Sequence, residues 1–497
     1  MSILSASLYH TNPSGGFYTF AGFPDCKIYK AETGSKWNQH LLFGDYITVL
    51  DLEIKNNRVK VKSRNKVGWV KIDSIQPERV LEVNFIDIGQ GDGCHIVTPD
   101  DQHILVDAGK GDNMNRYLVW RFYLYKKTKP IDIDFKAIIS HSDADHYGGF
   151  STIFKNPALR FTKVYHNGIV ERPGKGHLFG NVTNGYITTL IEDTTGILDL
   201  VNDPANLKGT GSNYLKTLSQ ATKNNPQVEF RMLSIEDHYV PTFDANNQIN
   251  NKPFFMKLLG PITETVGGKK ALKSINDTGK DKNGHSVIFR LEYGNLKVLL
   301  GGDLNEEYGK IMMDFYKAAN ATKELEVDVA KACHHGSTHF DYDFLKSLNP
   351  LATVISSGDD EPFCHPRPDT LGAIGKCSYG DKPLIYSTEL ARSNKDLSRN
   401  NMKAIEKYFT ENALLLAQIK AIKSDSSQAE ELKKLKDKLT NNEKEINSFL
   451  TRYGMINLRS DGNKMIIAQK LERDAAYGKW DIQKMQFDSQ TGRFEKL

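Results

Sequence analysis

A chain of 497 residues that is 39% hydrophobic and 25% charged has the composition of an ordinary globular protein of two or three domains, which excludes fibrous and low-complexity classes. Its 65 basic and 61 acidic side chains nearly balance, so charge neither demands nor excludes a polyanionic partner. No run approaches the roughly 18 apolar residues of a membrane span, and the first residues lack a signal-peptide pattern. The five scattered cysteines form no CxxC, so a cytoplasmic chain with reduced thiols and no membrane partner is expected.

Residues 1–79 predict a small all-β domain, because "CKIYKA", "YITVLDLEI", "RVKVKS" and "KVGWVKI" alternate in hydropathy and are separated by turn signals. The pattern "GDYITV…VKV…VGWVKI" resembles a bacterial SH3-like barrel. Seven Lys/Arg lie between Lys55 and Lys71 with no acid among them. They form either a solvated face or a surface for a polyanion or protein partner.

From Val80 the texture changes to strands, Gly-rich turns and Asp-rich hairpins, and a second domain over 80–497 is expected. The Asn-, Thr-, Gly- and Lys-rich stretch at about 167–282 reads as a long insertion of loops and short helices. Strands return at "SVIFRLEY" and "LKVLLGGD", followed by a helix and then "VDVAKACHHGS". Leu432, Leu435, Leu439, Asn442, Ile446 and Phe449 step by three and four, and Leu415, Ile419 and Ile422 form a second seam. A helical hairpin inside an insertion at about 389–452 is expected, either packing on its own domain or joining two copies into a homo-oligomer. "YGMINLRSDGNKMIIAQ" then reads as a β-hairpin.

The chemistry is concentrated in "SHSDADHYGG", where His141, Asp143, Asp145 and His146 follow the apolar strand "FKAIIS". Imidazole and carboxylate are standard ligands for divalent ions. Three later apolar strands also end in ligand types: "KVLLGGD" at Asp303, "VDVAKACHH" at His334 and His335, and "ATVISSGDDEPFCHP" at His365.

In order, "FIDIGQGDG", "ILVDAG", "SHSDADHYGG", "NGHSVIFRLEYGNLKVLLGGD", "VAKACHHGS" and "CHPRPDTL" resemble the motifs of the metallo-β-lactamase superfamily. They also look like those of the soluble domain of ComEC-type competence proteins. The resemblance implies an α/β fold, an αββα sandwich with a dinuclear site at one edge. Its metal positions fall on His141, Asp143, Asp145, His146, Asp303 and His334 or His335. His285 in "NGHS" best fits the middle histidine, with His166 second. Asp143 replaces the superfamily's usual second histidine, and a carboxylate tilts the site toward Mn²⁺ without excluding Zn²⁺. Asp87, Gln90, Asp92 and Asp107 are expected to support ligands or form turns.

The implied function is a metal-dependent hydrolase, a phosphodiesterase or nuclease acting on DNA or RNA. Two divalent metal ions, Zn²⁺ or Mn²⁺, would activate a hydroxide, with Asp145, His335 and His365 in catalytic roles. The alternatives are hydrolysis of a small phosphoester or lactone, and a metal-stabilised scaffold that recruits partners.

Overall fold

Leu81, Val83 and Phe85 alternate along the strand Leu81–Ile86 with Glu82, Asn84 and Ile86, yet every residue of it is buried. A strand covered on both faces belongs in the middle of layered sheets, and that is where this one lies. The computed structural model describes residues 2–124, 129–173, 179–358, 363–380, 382–390, 399–422, 428–450 and 454–497. They form a mixed α/β protein with several sheets.

One sheet has ten strands, in the order Glu229–Met232, Arg160–His166, Asp134–Ile138, His103–Ala108, Gly93–Val97, Leu81–Ile86, Met455–Ser460, Lys464–Ala475, Gly478–Asp488 and Arg493–Lys496. Its first four strands run parallel and the rest pair antiparallel. A second sheet has seven strands, in the order Gln248–Ile249, Lys252–Gly260, Ile288–Tyr293, Leu296–Leu300, Val329–Lys331, Ala352–Ile355 and Leu384–Ser387. Val83, Phe85, Ile104 and Leu458 of the first sheet share one apolar core with Phe254, Phe289, Leu291 and Val298 of the second. Helices cover the outer faces. Met114, Phe150 and Leu215 pack on Leu105 and Val164 of one sheet, and Tyr308, Met312 and Phe344 pack on Leu299 and Ala330 of the other.

The segment 167–282 corrects the insertion expected from composition. It supplies an edge strand of the first sheet, Glu229–Met232, and a main strand of the second, Lys252–Gly260, besides the covering helices Thr194–Asn202 and Asn213–Asn224. Phe254, Met256 and Leu258 are buried in the central core. Their alternation was diluted by the polar loops around them.

Residues 10–76 form an eight-stranded antiparallel sheet around its own core of Cys26, Ile28, Ile47, Val59, Val61 and Val70. This unit docks on the C-terminal strands. Leu42 and Phe43 pack with Ile466 and Ala468, and Trp480 Nε1 donates to the His40 carbonyl at 3.2 Å.

The helices Arg399–Ala421 and Ala429–Leu450 form the expected hairpin, while residues 391–398, 423–427 and 451–453 of that region lie outside the described residues. Leu415 and Ile446 are buried, and Asn442 Nδ2 donates to Asn412 Oδ1 at 3.0 Å across the pair. Among the described residues no helix is long and apolar enough to cross a membrane.

Candidate metal centre

Strands of both sheets end at one rim, and the turns that follow them turn polar side chains inward. The peptide after Asp134–Ile138 is held by Asp107, whose Oδ1 accepts from the Ser140 N–H at 2.8 Å. Two glycines let the turns approach closely. At Gly91 (φ +106°) a Cβ would lie 1.7 Å from the Asp145 carbonyl oxygen, and at Gly302 (φ +51°) one would lie 2.7 Å from Ser286 Cβ. Asp107, His334 and His335 are non-glycine residues with φ of 56°, 49° and 54°. Left-handed backbone of this kind concentrates at functional sites.

Three imidazoles share one pattern, in which Nδ1 is anchored outward and Nε2 points inward. His146 Nδ1 donates to Asp107 Oδ2 at 2.9 Å. His335 Nδ1 donates to the Ser356 carbonyl at 3.1 Å and lies 3.1 Å from Asp92 Oδ1. His141 Nδ1 lies 3.0 Å from Ser140 Oγ and 3.3 Å from Ser286 Oγ. Because the Ser286 hydroxyl donates to the Asn283 carbonyl, it accepts from His141, which assigns the proton to Nδ1. His141 Nε2, His146 Nε2, His335 Nε2 and Asp303 Oδ1 are all buried with no hydrogen-bond partner. His146 Nε2 and His335 Nε2 each lie 3.2 Å from Asp303 Oδ2, off hydrogen-bond alignment.

Ligand atoms of His141, His146 and Asp303 lie within 4.8 Å of one another, as do those of Asp145, His146 and His335. Buried imidazole lone pairs converging with carboxylate oxygens fit a divalent cation, and leaving such atoms unpaired is otherwise costly. The cluster can therefore hold a metal ion. Carboxylates at the rings' outer nitrogens raise ligand basicity and fix orientation.

Electrostatics point the same way. Burial disfavours protonated His335, but Asp303 and Asp92 outweigh it and raise its pKa to about 10. Burial likewise opposes protonated His146, and Asp303 and Asp107 push it well above the ordinary histidine value. His141, dominated by burial and by the neighbouring His146, falls to about 4. For Asp303 burial is outweighed by His146, His335 and His334, which hold its carboxyl well below the usual range.

Of the residues singled out from sequence, His141, Asp145, His146, Asp303 and His335 come together. Gln90 Nε2 donates to Asp145 Oδ2 at 3.2 Å, and Asp87 receives the Gly89 and Gly454 N–H groups at 3.2 and 3.3 Å. Asp143 stands at the edge, with Oδ2 3.7 Å from His141 Nε2 and Oδ1 on the Lys282 ammonium. His334 turns instead toward Asn283 Nδ2, at 3.4 Å. Half-buried His365 places its ring 5.9 Å from His334 and 6.3 Å from His335.

His285 corrects the expectation of a middle histidine ligand. Its ring packs on Tyr308 at 4.4 Å, and Nε2 donates to the Lys273 carbonyl at 2.6 Å, away from the cluster. His166 also stays outside, with Nδ1 accepting from the Gly168 N–H at 3.1 Å. Ser286, the residue after His285, is the one that reaches His141.

Sequence reasoning also missed Lys331 and Lys282. Lys331 is 4% exposed, pairs with Asp92 and donates to the Gly302 carbonyl at 3.2 Å. The only signal for it was a lysine inside a strand with otherwise apolar residues. Comparison with protein-family models and with curated proteins finds no match for this chain.

Proposed function

We propose that this chain is a metal-dependent hydrolase of the metallo-β-lactamase fold, similar to the ComEC-type domain, with an SH3-like barrel at its N-terminus. We propose further that its reaction is phosphodiester hydrolysis of nucleic acid. The observation that carries this reading is the convergence of three buried, unpartnered Nε2 atoms with Asp303 Oδ1 and Asp145 at one sheet rim. The two face-packed sheets with outer helices, and the order of motifs at strand ends, agree with it.

Asp145, His146 and His335 would hold one divalent ion. His141 and Asp303 would hold a second, together with Asp143 once its carboxylate leaves Lys282. Bound there, such ions supply a low-pKa water and neutralise charge on a phosphoryl oxygen. Asp107 and the Ser356 carbonyl keep the Nδ1 protons of His146 and His335 outward, so the Nε2 lone pairs stay available. Gln90 orients Asp145. His365, whose ring lies 6.3 Å from that of His335, would protonate a leaving oxygen. Cys333 is not the nucleophile, because burial pushes its thiol up to about 12. With three carboxylates among six donors, the set tilts toward Mn²⁺ without excluding Zn²⁺.

The test is metal analysis of the purified chain, followed by Mn²⁺- or Zn²⁺-dependent cleavage of linear and circular DNA and of RNA. Cleavage should disappear in Asp145→Ala and His146→Ala. Variants that cut as well as the parent would overturn the nuclease reading. Turnover of bis-nitrophenyl phosphate without polymer cleavage would replace it with a small phosphoester.

A further inference from the structure

Away from the metal centre, a cleft of about 900 Å³ opens between the N-terminal sheet, the helix Asn113–Arg121 and the outer face of the ten-stranded sheet. That volume is in the range of small-molecule sites, roughly 300–1,000 Å³. Arg64, Arg79, Arg121, Arg459, Lys470 and Lys479 line it against two carboxylates, Asp45 and Glu82, so the cleft is basic.

Its floor carries groups that lack partners or present a defined hydrogen-bonding edge. Asn457 is 1% exposed and its Oδ1 has no hydrogen-bond partner, and Arg459 is 3% exposed with Nε likewise unpartnered. Tyr117 is the end of a buried relay. Its hydroxyl lies 3.0 Å from His95 Nδ1, His95 Nε2 lies 3.0 Å from His103 Nδ1, and His103 Nε2 lies 3.0 Å from Asp101 Oδ1. The Asp101 carboxylate can only accept, so every proton in the relay points toward it, and Tyr117 Oη, which donates to His95, accepts from the Arg121 guanidinium. The floor thus offers one unpartnered acceptor, Asn457 Oδ1, beside one guanidinium donor, Arg459 Nε. At the rim, exposed Arg64 lies over the ring of half-exposed Trp120 at 4.4 Å, and Lys479 is half-buried.

We propose that this cleft binds a nucleotide. The mixed donor–acceptor floor takes the base edge, and the basic rim with Trp120 takes the phosphate and the ring face. A bare anion would leave the Asn457 acceptor unanswered, and an uncharged aromatic would give the exposed Arg64 guanidinium over Trp120 no anion. Glu82 and Asn457 lie on the neighbouring strands Leu81–Ile86 and Met455–Ser460, and the next residue, Asp87, opens the metal-centre loop. A nucleotide held here therefore sits against the elements that support the metal site. The inference does not depend on what the metal centre hydrolyses.

The full chain, stripped of metal so that the centre cannot bind phosphate, is titrated with AMP, GMP, CMP and UMP, with adenosine and with pyrophosphate. Trp120 and Trp480 line the cleft, so intrinsic fluorescence reports occupancy. At least one mononucleotide should bind saturably, about tenfold or more tighter than its nucleoside or pyrophosphate. Arg64→Gln combined with Lys479→Gln should weaken it by about tenfold, and Trp120→Ala should do the same. Absence of saturable binding, or binding unchanged in these rim variants, overturns the proposal. So does pyrophosphate binding as tightly as the nucleotide, which marks a simple anion site. Much tighter binding of a single-stranded oligonucleotide overturns it in favour of a strand-binding groove.

Discussion

Replacing Asp107 with asparagine should weaken divalent-metal binding while leaving the chain folded. Asparagine keeps the shape and tolerates the left-handed backbone that Asp107 adopts at φ 56°. The carboxylate accepts twice, from His146 Nδ1 at 2.9 Å and from the Ser140 N–H at 2.8 Å, whereas an amide has one acceptor oxygen. If that oxygen stays on Ser140, the amide NH₂ faces His146 and drives its proton onto Nε2, the atom that should meet the metal. If it turns to His146, the buried Ser140 N–H loses its partner. Loss of such an outer partner costs about 10- to 100-fold in metal affinity, or about 1.4–2.7 kcal/mol at 1.36 kcal/mol per decade. Mn²⁺ and Zn²⁺ affinities, measured by competition with a chromogenic chelator, read this directly, and thermal melting of the metal-free protein reads the fold. A variant that melts like the parent and binds both metals within about twofold of it refutes the assignment of Asp107 as the residue that orients His146.

Three further outcomes follow from other residues. Glu82 is buried, yet the guanidiniums of Arg121, Arg459 and Arg79 outweigh burial and hold its carboxyl well below the usual range. Glu82→Gln leaves those guanidiniums without their shared anion and should cost about 3–5 kcal/mol in urea unfolding at neutral pH. Because the folded pKa is lowered, that stabilisation is complete above the unfolded value near 4.5 and fades as pH falls below it. His335 has the opposite sign. Its folded pKa of about 10 means that its contribution in the metal-free protein is full below the unfolded value near 6.5 and is lost as pH rises toward 10. Melting temperatures from pH 6 to 10 should fall more steeply in the metal-free parent than in Asp303→Asn, which removes the main charge that raises it. Finally, His285→Phe should retain the parent's metal stoichiometry, whereas His141→Ala should lose bound metal, as measured by elemental analysis after gel filtration.

Much of the rim was legible in the linear chain, because a buried strand reads as an apolar run and a ligand must come in the turn that ends it. "FKAIIS", "KVLLGGD" and "VDVAKACHH" each placed His141, Asp303 and His335 at such an end, and the structure gathers all three. The hairpin's helical seam was equally local, since its period is set by the helix itself. Which way a side chain turns within a loop is not local. His334 and His335 are adjacent and share left-handed backbone, yet only His335 meets Asp303, because each successive residue leaves the chain in a different direction. The same one-residue difference puts Ser286 on His141 and sends His285 to Lys273.

Pairing between distant segments lay further out of reach. Lys252–Gly260 becomes a main strand only because Ile288–Tyr293 and the opposite sheet cover it, and its polar surroundings hid that alternation. The charge on Lys331 is held by Asp92, far along the chain, and Asp143 is held by Lys282. The basic cleft draws its lining from Gln39 through Trp480. No window of sequence contains it, because it exists only where one folded unit docks against the outer face of another.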